Sequence, residues 1–218
     1  MRNIPMIATT ATVEMSAFYL DILKDRVYTS KTDSLERRSA QTAMYQVLET
    51  VVKLIAPVLS FTADEVWRYM PRPAEESVHL AQFPPLHPEY KDDRLVERWE
   101  KIIKVRGEVS KALEQARVNK VIGHSLDAAV TINGPGDLVT FLREYSKDLK
   151  SIFIVSKVDL DTAMKPDESY KSDNVEGLEI LVTAAPGAKC ERCWCYDEEI
   201  GKDAEHPTIC PKCLGAVK

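Results

Sequence analysis

Two pairs of cysteines near the end of the sequence constrain the fold more than any other feature. Cys190 and Cys193 form one CxxC motif, and Cys210 and Cys213 form a second after sixteen intervening residues. A CxxC turn directs two sulfurs to one ion, and two such turns supply the four thiolates that Zn²⁺ binds tetrahedrally. The spacing is typical of a zinc ribbon. Because four thiolates leave no open position for water, the sequence predicts one structural zinc ion.

A fifth cysteine, Cys195, lies two residues past Cys193. The CxC spacing places its sulfur on the far side of an extended turn, so we interpret it as a spare small residue. The alternative to a metal site is a pair of disulfides, which would require secretion. Residues 1–7 contain too short an apolar stretch for a signal peptide. We therefore expect a cytoplasmic protein whose cysteines are reduced.

Composition limits the classes of function. A chain of 218 residues with 44% hydrophobic residues is long enough for more than one compact domain with a buried core. The net charge of −5 is unlike that of most nucleic-acid-binding proteins, so any such binding must come from local basic patches. No apolar run approaches the roughly 18 residues of a membrane span.

Residues 1–90 are predicted to form a helical domain, with an antiparallel helical bundle over the first 70 residues and an extended, proline-rich surface loop over 71–90. Apolar residues recur at three- and four-residue steps over 12–28 and 44–58, which is typical of amphipathic helices. Pro57 bends or ends the second helix. Thr62 and Glu65 form a capping box that opens a short helix. Trp67 is predicted to be a core residue because it lies on the apolar face of that helix.

Residues 91–186 are predicted to form a long helix and a small α/β junction domain. The helix covers about 93–118, and basic and acidic residues, Glu108 among them, alternate on a face that we interpret as solvated. Past Gly123 the period changes, which predicts strands over 128–132, 151–155 and 178–182, a helix over 138–149 and a flexible connection over 157–176. With a zinc ribbon over 187–218, the predicted fold class is mainly α with a small α+β part.

Several motifs resemble those of class I aminoacyl-tRNA synthetases. Residues 55–57 and 60–67, with the sequence Ser-Phe-Thr-Ala-Asp-Glu-Val-Trp, are similar to the helical anticodon-binding domain of the group that charges isoleucine, valine, leucine and methionine. A closer similarity, to the isoleucyl-tRNA synthetase family, extends over residues 13–26, 31–34, 37–39, 105–109, 114–117 and 122–123. The cysteine region 190–213 resembles the zinc-binding C-terminus of the bacterial members. Many of these carry histidine where this chain has Cys195, a departure that leaves the four zinc ligands in place.

The resemblance implies a function for a larger enzyme. Such an enzyme activates isoleucine with ATP, charges isoleucine tRNA and hydrolyses mischarged valine. The His-Ile-Gly-His and Lys-Met-Ser-Lys-Ser type motifs of the catalytic domain are missing from this sequence, and so is the editing domain. We therefore expect no catalytic residues in this chain. Its expected partners are the anticodon arm of isoleucine tRNA and the catalytic and editing domains of the same enzyme, in a monomer that binds neither DNA nor membranes.

Candidate tRNA contacts fall in two regions. Basic residues near one helix–helix junction are expected to meet phosphates, which positions RNA without reading it; they are Lys24, Arg26, Lys31, Arg37 and Arg38. Reading the anticodon requires bases stacked on aromatic or guanidinium planes, and Arg192 and Trp194 on the zinc turn are candidates. Two alternatives remain open. Trp194 could pack against the metal site, and Lys24 and Arg26 could pair with Asp21 and Asp25.

A function of another class is also open at this stage. The zinc ribbon could be a docking module that stabilises the parent enzyme or a protein partner without contacting RNA. The acidic net charge favours this alternative modestly. An apolar patch beside the zinc site would support docking, whereas a basic groove would support RNA binding.

Overall fold

The computed structural model describes residues 10–71, 75–161 and 169–218, with side chains from residue 15 onward. The chain separates into two compact units, Met1–Lys91 and Asp92–Lys218. It combines helices with a small mixed sheet and a cysteine cluster. The division into residues 1–90, 91–186 and 187–218 stays a prediction. Among the described residues, no helix has both the length and the apolar character needed to cross a membrane.

The first unit is helical. A π-helical segment, Thr10–Leu20, leads into α1 (Asp21–Thr29), which is followed by α2 (Leu35–Ile55) and α3 (Ser60–Tyr69). Two 3₁₀ turns follow at Val78–Leu80 and Pro88–Tyr90. The helix α2 begins where the Ser34 hydroxyl accepts a hydrogen bond from the Arg37 N–H at 3.3 Å, and it ends just before Pro57. The predicted capping box of Thr62 and Glu65 is wrong, because α3 already begins at Ser60.

The core of the first unit lies where α2, α3 and the first 3₁₀ turn meet. Trp67 is buried there, as predicted, and its indole N–H donates to the Glu75 carbonyl at 2.8 Å. The other buried members of this cluster are Val52, Ala56, Ala63, Met70 and Val78. This hydrogen bond satisfies the indole N–H of Trp67. Burial of the ring therefore stabilises the packing of α2 against α3 and leaves no unpaired hydrogen-bond donor.

The second unit packs a long helix on a four-stranded sheet. The helix is α4 (Asp93–Val118), and the shorter helices are α5 (Gly136–Arg143) and α6 (Leu149–Phe153). The strands are β1 (Ala128–Asn133), β2 (Lys157–Leu160), β3 (Tyr170–Lys171) and β4 (Glu179–Ala184). Their order is β2-β1-β4-β3, with β1 and β2 parallel and the other pairs antiparallel. The core holds apolar side chains from α4, α5, α6 and the sheet.

Two secondary-structure predictions in this unit are wrong. Residues 151–155 are not a strand, because Leu149, Ile152 and Phe153 face the core from one side of α6, which ends at Ile154 in the left-handed region. A short buried apolar run fits either a strand or a helix by pattern alone. The predicted connection 157–176 contains β2 and β3, and its residues 162–168 lie outside the described part of the chain.

Glu108 is the clearest correction on α4, since it was predicted to face solvent. Its side chain is buried, with 3% of the residue exposed. Its carboxylate accepts hydrogen bonds at 2.7 to 2.9 Å from Lys111, Tyr170, Ser172 and Asn174. Burial opposes ionisation, but these four donors outweigh it and lower the pKa of Glu108 to about 2. The carboxylate thus ties residues 170–174 to the middle of α4.

The segment predicted to be a zinc ribbon begins with a small hairpin. Strands β5 (Ala188–Lys189) and β6 (Tyr196–Asp197) pair antiparallel, and the helix α7 (Pro211–Val217) closes the segment. Gly187 has a φ of +90°, and a Cβ there would lie 2.4 Å from the Asp197 carbonyl. Only glycine therefore fits where the chain enters the hairpin.

Candidate metal centre and nucleic-acid interface

Four cysteine thiols converge in the last segment. The sulfurs of Cys190, Cys193, Cys210 and Cys213 all lie within 4.8 Å of one another, and those of Cys193 and Cys210 are 3.6 Å apart. A zinc ion with Zn–S bonds of about 2.3 Å holds its tetrahedral thiolates roughly 3.8 Å apart. Among the described residues these four form the one group of cysteine, histidine and acidic side chains close enough to share an ion. Their geometry fits a four-thiolate metal site.

Backbone N–H groups around the first cysteine favour its thiolate. Burial raises the pKa of the Cys190 thiol, but the N–H groups of Cys193, Cys210 and Arg192 point at its sulfur and lower that pKa to about 7. The Cys210 N–H lies 3.4 Å from the Cys190 sulfur. Without a metal, burial raises the pKa of Cys210 to about 11. The site therefore favours one thiolate by itself, and the others need a cation to stabilise their charge.

Main-chain hydrogen bonds hold the first cysteine turn in shape. The Cys190 N–H donates to the Cys195 carbonyl at 2.8 Å, and the Trp194 N–H donates to the Cys190 carbonyl at 2.9 Å. The Glu191 N–H donates to the Thr208 carbonyl at 3.1 Å, which joins this turn to the second cysteine pair. The two CxxC turns are thus connected through backbone as well as through thiols.

The buried Ser156 joins the hairpin to the sheet, and no sequence pattern predicts this link. The Tyr196 N–H donates to the Ser156 hydroxyl at 2.7 Å, and that hydroxyl donates to the Leu126 carbonyl. Ser156 lies just before β2 in a segment predicted to be a strand end, where a lone serine carries no signal. This link places the cysteine segment against the edge of the α/β part within the second unit.

Cys195 lies closer to the clustered thiols than predicted, and Arg192 contacts one of these thiols. The Cys193 thiol donates a hydrogen bond to the Cys195 sulfur, which raises the pKa of Cys193, and burial adds to this effect. The Arg192 guanidinium hydrogen-bonds the Cys213 thiol, which opposes the rise in pKa that burial causes there. Arg192 is therefore half-buried beside a thiol, and its predicted stacking role competes with this contact.

Trp194 points away from the metal site. The residue is 62% exposed, which disfavours the alternative in which its ring packs on the cysteine turn. Its φ is +65°, in the left-handed region that side chains other than glycine rarely adopt. The two hydrogen bonds of the Cys190–Cys195 turn hold this conformation. The result is a large aromatic ring presented to solvent from a constrained backbone.

The predicted phosphate contacts lie at the α1–α2 junction of the first unit. Lys31 and Arg38 are exposed, and Arg37 is half-buried with its guanidinium 3.5 Å from the Ser30 carbonyl. Lys24 is exposed but paired with Asp21 at 2.7 Å, as the alternative interpretation anticipated. Arg26 is half-buried in the same helix. Lys31 and Arg37 lie on the same turn leading into α2, where the Ser34 N–H donates to the Lys31 carbonyl at 3.1 Å and the Arg37 N–H donates to the Ser34 hydroxyl.

Two family profiles match the chain. The profile of the "Anticodon-binding domain of tRNA ligase" matches residues 6–132, more than half of the sequence. The profile of the "Zinc finger found in FPG and IleRS" matches residues 187–214, which include all four clustered cysteines. The two profiles together confirm the resemblance drawn from the sequence motifs.

Curated proteins named isoleucine–tRNA ligase are similar over nearly the whole chain. The protein from Geobacter sulfurreducens is 65% identical over 207 residues, which is 95% of this chain and 22% of the relative. The protein from Syntrophotalea carbinolica is 49% identical over 94% of this chain and 22% of its own length. The Thermoanaerobacter sp. protein is 47% identical over 98% of the chain and 23% of its own. The chain spans about a fifth of the length of these relatives.

Proposed function

Because the chain belongs to the family of the anticodon-binding domains of tRNA ligases, we propose that it is the tRNA-binding part of an isoleucine–tRNA ligase. The observation that carries this proposal is the match of the anticodon-binding profile to residues 6–132. The similarity to isoleucine–tRNA ligases over 95% of the chain supports isoleucine tRNA as the ligand. The part of the RNA bound is the anticodon arm.

Phosphates of the RNA are bound at the α1–α2 junction. Exposed Lys31 and Arg38 offer charge there, and Arg37 adds a guanidinium at the start of α2. The first turn of a helix also presents unpaired N–H groups and a positive dipole end, which favour phosphate. Lys24 and Arg26 contribute at the rim of this surface. The residues that make these contacts belong to an antiparallel helical bundle. Phosphate contacts position the RNA and carry no sequence information.

Anticodon bases are read by stacking on the zinc turn. Trp194 is the stronger candidate, since its ring is exposed and its backbone is constrained. Stacking on an aromatic ring contributes about 1–3 kcal/mol per base. Arg192 contributes positive charge beside that ring, although its guanidinium also hydrogen-bonds the Cys213 thiol.

One structural Zn²⁺ ion is held by Cys190, Cys193, Cys210 and Cys213 in a zinc ribbon. The zinc-finger profile and the converging thiols support this assignment. The ion supplies folding free energy and no reaction chemistry, because four thiolates complete its coordination. The ribbon's own apolar core is small, with Ile200 and Ile209 packed beside the cysteines.

The whole enzyme would use ATP to activate isoleucine, charge its tRNA and hydrolyse mischarged valine. In this chain we assign no catalytic residue, and the catalytic and editing domains are its partners within the same polypeptide. The enzyme would act as a cytoplasmic monomer that does not bind DNA. These assignments rest on the relatives, of which this chain matches about a fifth.

A docking role for the zinc ribbon is the second candidate. The net charge of −5 favours it, because a chain with this charge repels RNA at long range. In this role the ribbon would stabilise the parent enzyme or bind a protein partner without touching RNA.

One binding experiment separates the two functions. The affinity of the 218-residue chain is measured at fixed salt for isoleucine tRNA and for the same tRNA with a changed anticodon. We expect a clear preference for the native anticodon, which places base reading within this chain. Equal, weak binding of the two RNAs contradicts the proposal and favours the docking role.

A further inference from the structure

Two stretches of the first unit contain no charged residue. Residues 54–63 and 77–88 lack Lys, Arg, Asp and Glu, in a chain of which 29% is charged. Lys53 and Asp64 flank the first stretch, and Glu76 and Glu89 flank the second. We call the surface formed by these two stretches the uncharged surface.

The structure brings the start of the second stretch, residues 77–80, against the first stretch at the α2–α3 corner, and residues 81–88 continue from there. The His79 ring nitrogen Nε2 lies 3.3 Å from the Ser60 carbonyl oxygen. The Ser77 hydroxyl donates to the Asp64 carboxylate, which also pairs with Arg68 at 2.6 Å. Together with the buried Val78, these contacts hold residues 77–80 against the start of α3.

Large apolar side chains of the uncharged surface face solvent. Phe61 is 93% exposed and Leu86 is 95% exposed. More than half of each of four others is also exposed; they are Val58, Leu59, Leu80 and Phe83. Single exposed apolar residues are ordinary, but a concentration of them marks an interaction site. Aromatic residues with few charges are typical of the centre of a protein–protein interface.

The chemistry of this surface argues against RNA. Lys and Arg supply most of the affinity for a phosphate backbone, and neither occurs in the two stretches. Lys53 is paired with Glu49 and Asp64 with Arg68. This leaves the exposed Glu76 and Glu89 as flanking charges that would repel a phosphate backbone. An apolar protein surface is the matching partner, because its burial removes these side chains from water without stranding a charge.

The length of the relatives identifies the source of that partner. More than three quarters of each similar isoleucine–tRNA ligase lies outside the region that this chain matches. On the basis of the proposed function, we propose that the uncharged surface docks an apolar face of another domain of the same ligase polypeptide. The tRNA is then bound elsewhere on the chain, at the basic α1–α2 junction and the zinc turn.

Hydroxyl-radical footprinting tests this assignment directly. Side-chain oxidation is compared between the free chain and a chimera in which the chain replaces the matching 207 residues of the Geobacter sulfurreducens ligase. Oxidation of Phe61, Phe83 and Leu86 is expected to fall several-fold in the chimera. Tyr69, which is 85% exposed at the other end of α3, is the matched control and is expected to change little.

Three outcomes overturn the proposal. Equal oxidation of Phe61, Phe83 and Leu86 in the free chain and the chimera means that no domain covers the surface. Protection in the free chain on addition of isoleucine tRNA identifies an RNA surface. Protection that rises with the concentration of the free chain identifies a second copy. If the chimera fails to fold, the intact Geobacter sulfurreducens ligase and its own matching region supply the same comparison at the aligned positions.

A pair of variants adds a second readout. Phe61→Ser with Leu86→Ser is expected to leave the stability of the free chain unchanged, because both side chains are already in water. In the chimera the same change is expected to speed proteolysis between domains, whereas Tyr69→Ser does not. Parallel tRNA titrations keep the two proposals apart, since loss of tRNA binding with intact footprints contradicts only the proposed function.

Discussion

The sulfur of Cys193 lies 3.6 Å from the sulfur of Cys210, although seventeen positions separate the two residues in the chain. The distance is close to the roughly 3.8 Å between two thiolates on one tetrahedral zinc ion. The N–H of Cys210 also points at the sulfur of Cys190. The two CxxC turns therefore already meet in a geometry that one metal ion can join.

Removal of zinc is expected to unfold residues 187–218 and to leave the first unit folded. The segment has little apolar core beyond its cysteines, so metal binding supplies most of its folding free energy. A chelator titration followed by NMR or limited proteolysis measures this. Unchanged signals from the last thirty or so residues would show that the segment folds without the ion.

The fifth cysteine is expected to be dispensable for the metal. Cys195→Ser should keep one zinc per chain, because Cys195 lies outside the group of four converging sulfurs. Cys213→Ser removes a ligand and should weaken zinc binding by more than about 10-fold, since even outer-shell changes cost 10–100-fold. Metal content and competition with a chromogenic chelator measure both variants. Loss of zinc from Cys195→Ser would make Cys195 a ligand.

Charge reversal at the α1–α2 junction is expected to weaken tRNA binding. Arg37→Glu with Arg38→Glu removes two candidate phosphate partners, so the dependence of log affinity on log salt should become shallower by roughly 1 for each arginine replaced. Titrations of isoleucine tRNA at several salt concentrations measure the slope. Lys147→Glu is the control, because Lys147 is exposed but outside the predicted RNA-binding residues. An unchanged slope would show that Arg37 and Arg38 face away from the RNA.

Removal of the exposed ring on the zinc turn is expected to reduce anticodon preference. Trp194→Ala should weaken binding of the native tRNA by about 1–3 kcal/mol, the contribution of one stacked base. Trp194→Phe should restore part of it, because Phe keeps an aromatic face. Stability should change little in either variant, since the ring is largely in water.

Trp67→Ala is the contrasting change. It is expected to destabilise the first unit by about 3–5 kcal/mol, because it empties a buried site. Thermal unfolding and tRNA titrations of the three variants distinguish recognition from folding. Full anticodon preference in Trp194→Ala would remove Trp194 from the reading site.

The buried carboxylate on α4 is expected to make the second unit acid-sensitive. The pKa of Glu108 falls from 4.5 to about 2 on folding, so the unfolded state binds the proton more tightly. The stability from Glu108 is therefore complete above pH 4.5 and is lost as the pH falls toward 2. Denaturant unfolding across this window measures the slope.

Glu108→Gln is expected to flatten that slope and to cost about 1–3 kcal/mol above pH 4.5, because it strands buried donors. Glu114→Gln is the matched control, since Glu114 is an exposed acid on the same helix. An equally steep slope in Glu108→Gln and the parent would assign the acid sensitivity to other carboxylates.

Local patterns predicted much of the helical structure. The period of the apolar residues predicted α2 and α4, and Pro57 predicted the end of α2. The helix predicted over 12–28 is divided into a π-helical segment and α1. The pattern failed at residues 149–160, where a short helix and the strand β2 replace a predicted strand and connection. Short apolar runs fit either state, and only the neighbouring β1, which pairs with β2 in parallel, selects between them.

The sequence by itself determined the family and predicted which four cysteines cluster, because contiguous motifs and CxxC spacing depend on residues close together in the chain. Only the tertiary structure decided that Glu108 is buried, that Trp194 faces solvent and that Arg192 meets Cys213. Each of these outcomes depends on segments that are distant in sequence. The donors to Glu108 lie on α4, on β3 and just after β3, and no local period encodes which side chains such segments bring together.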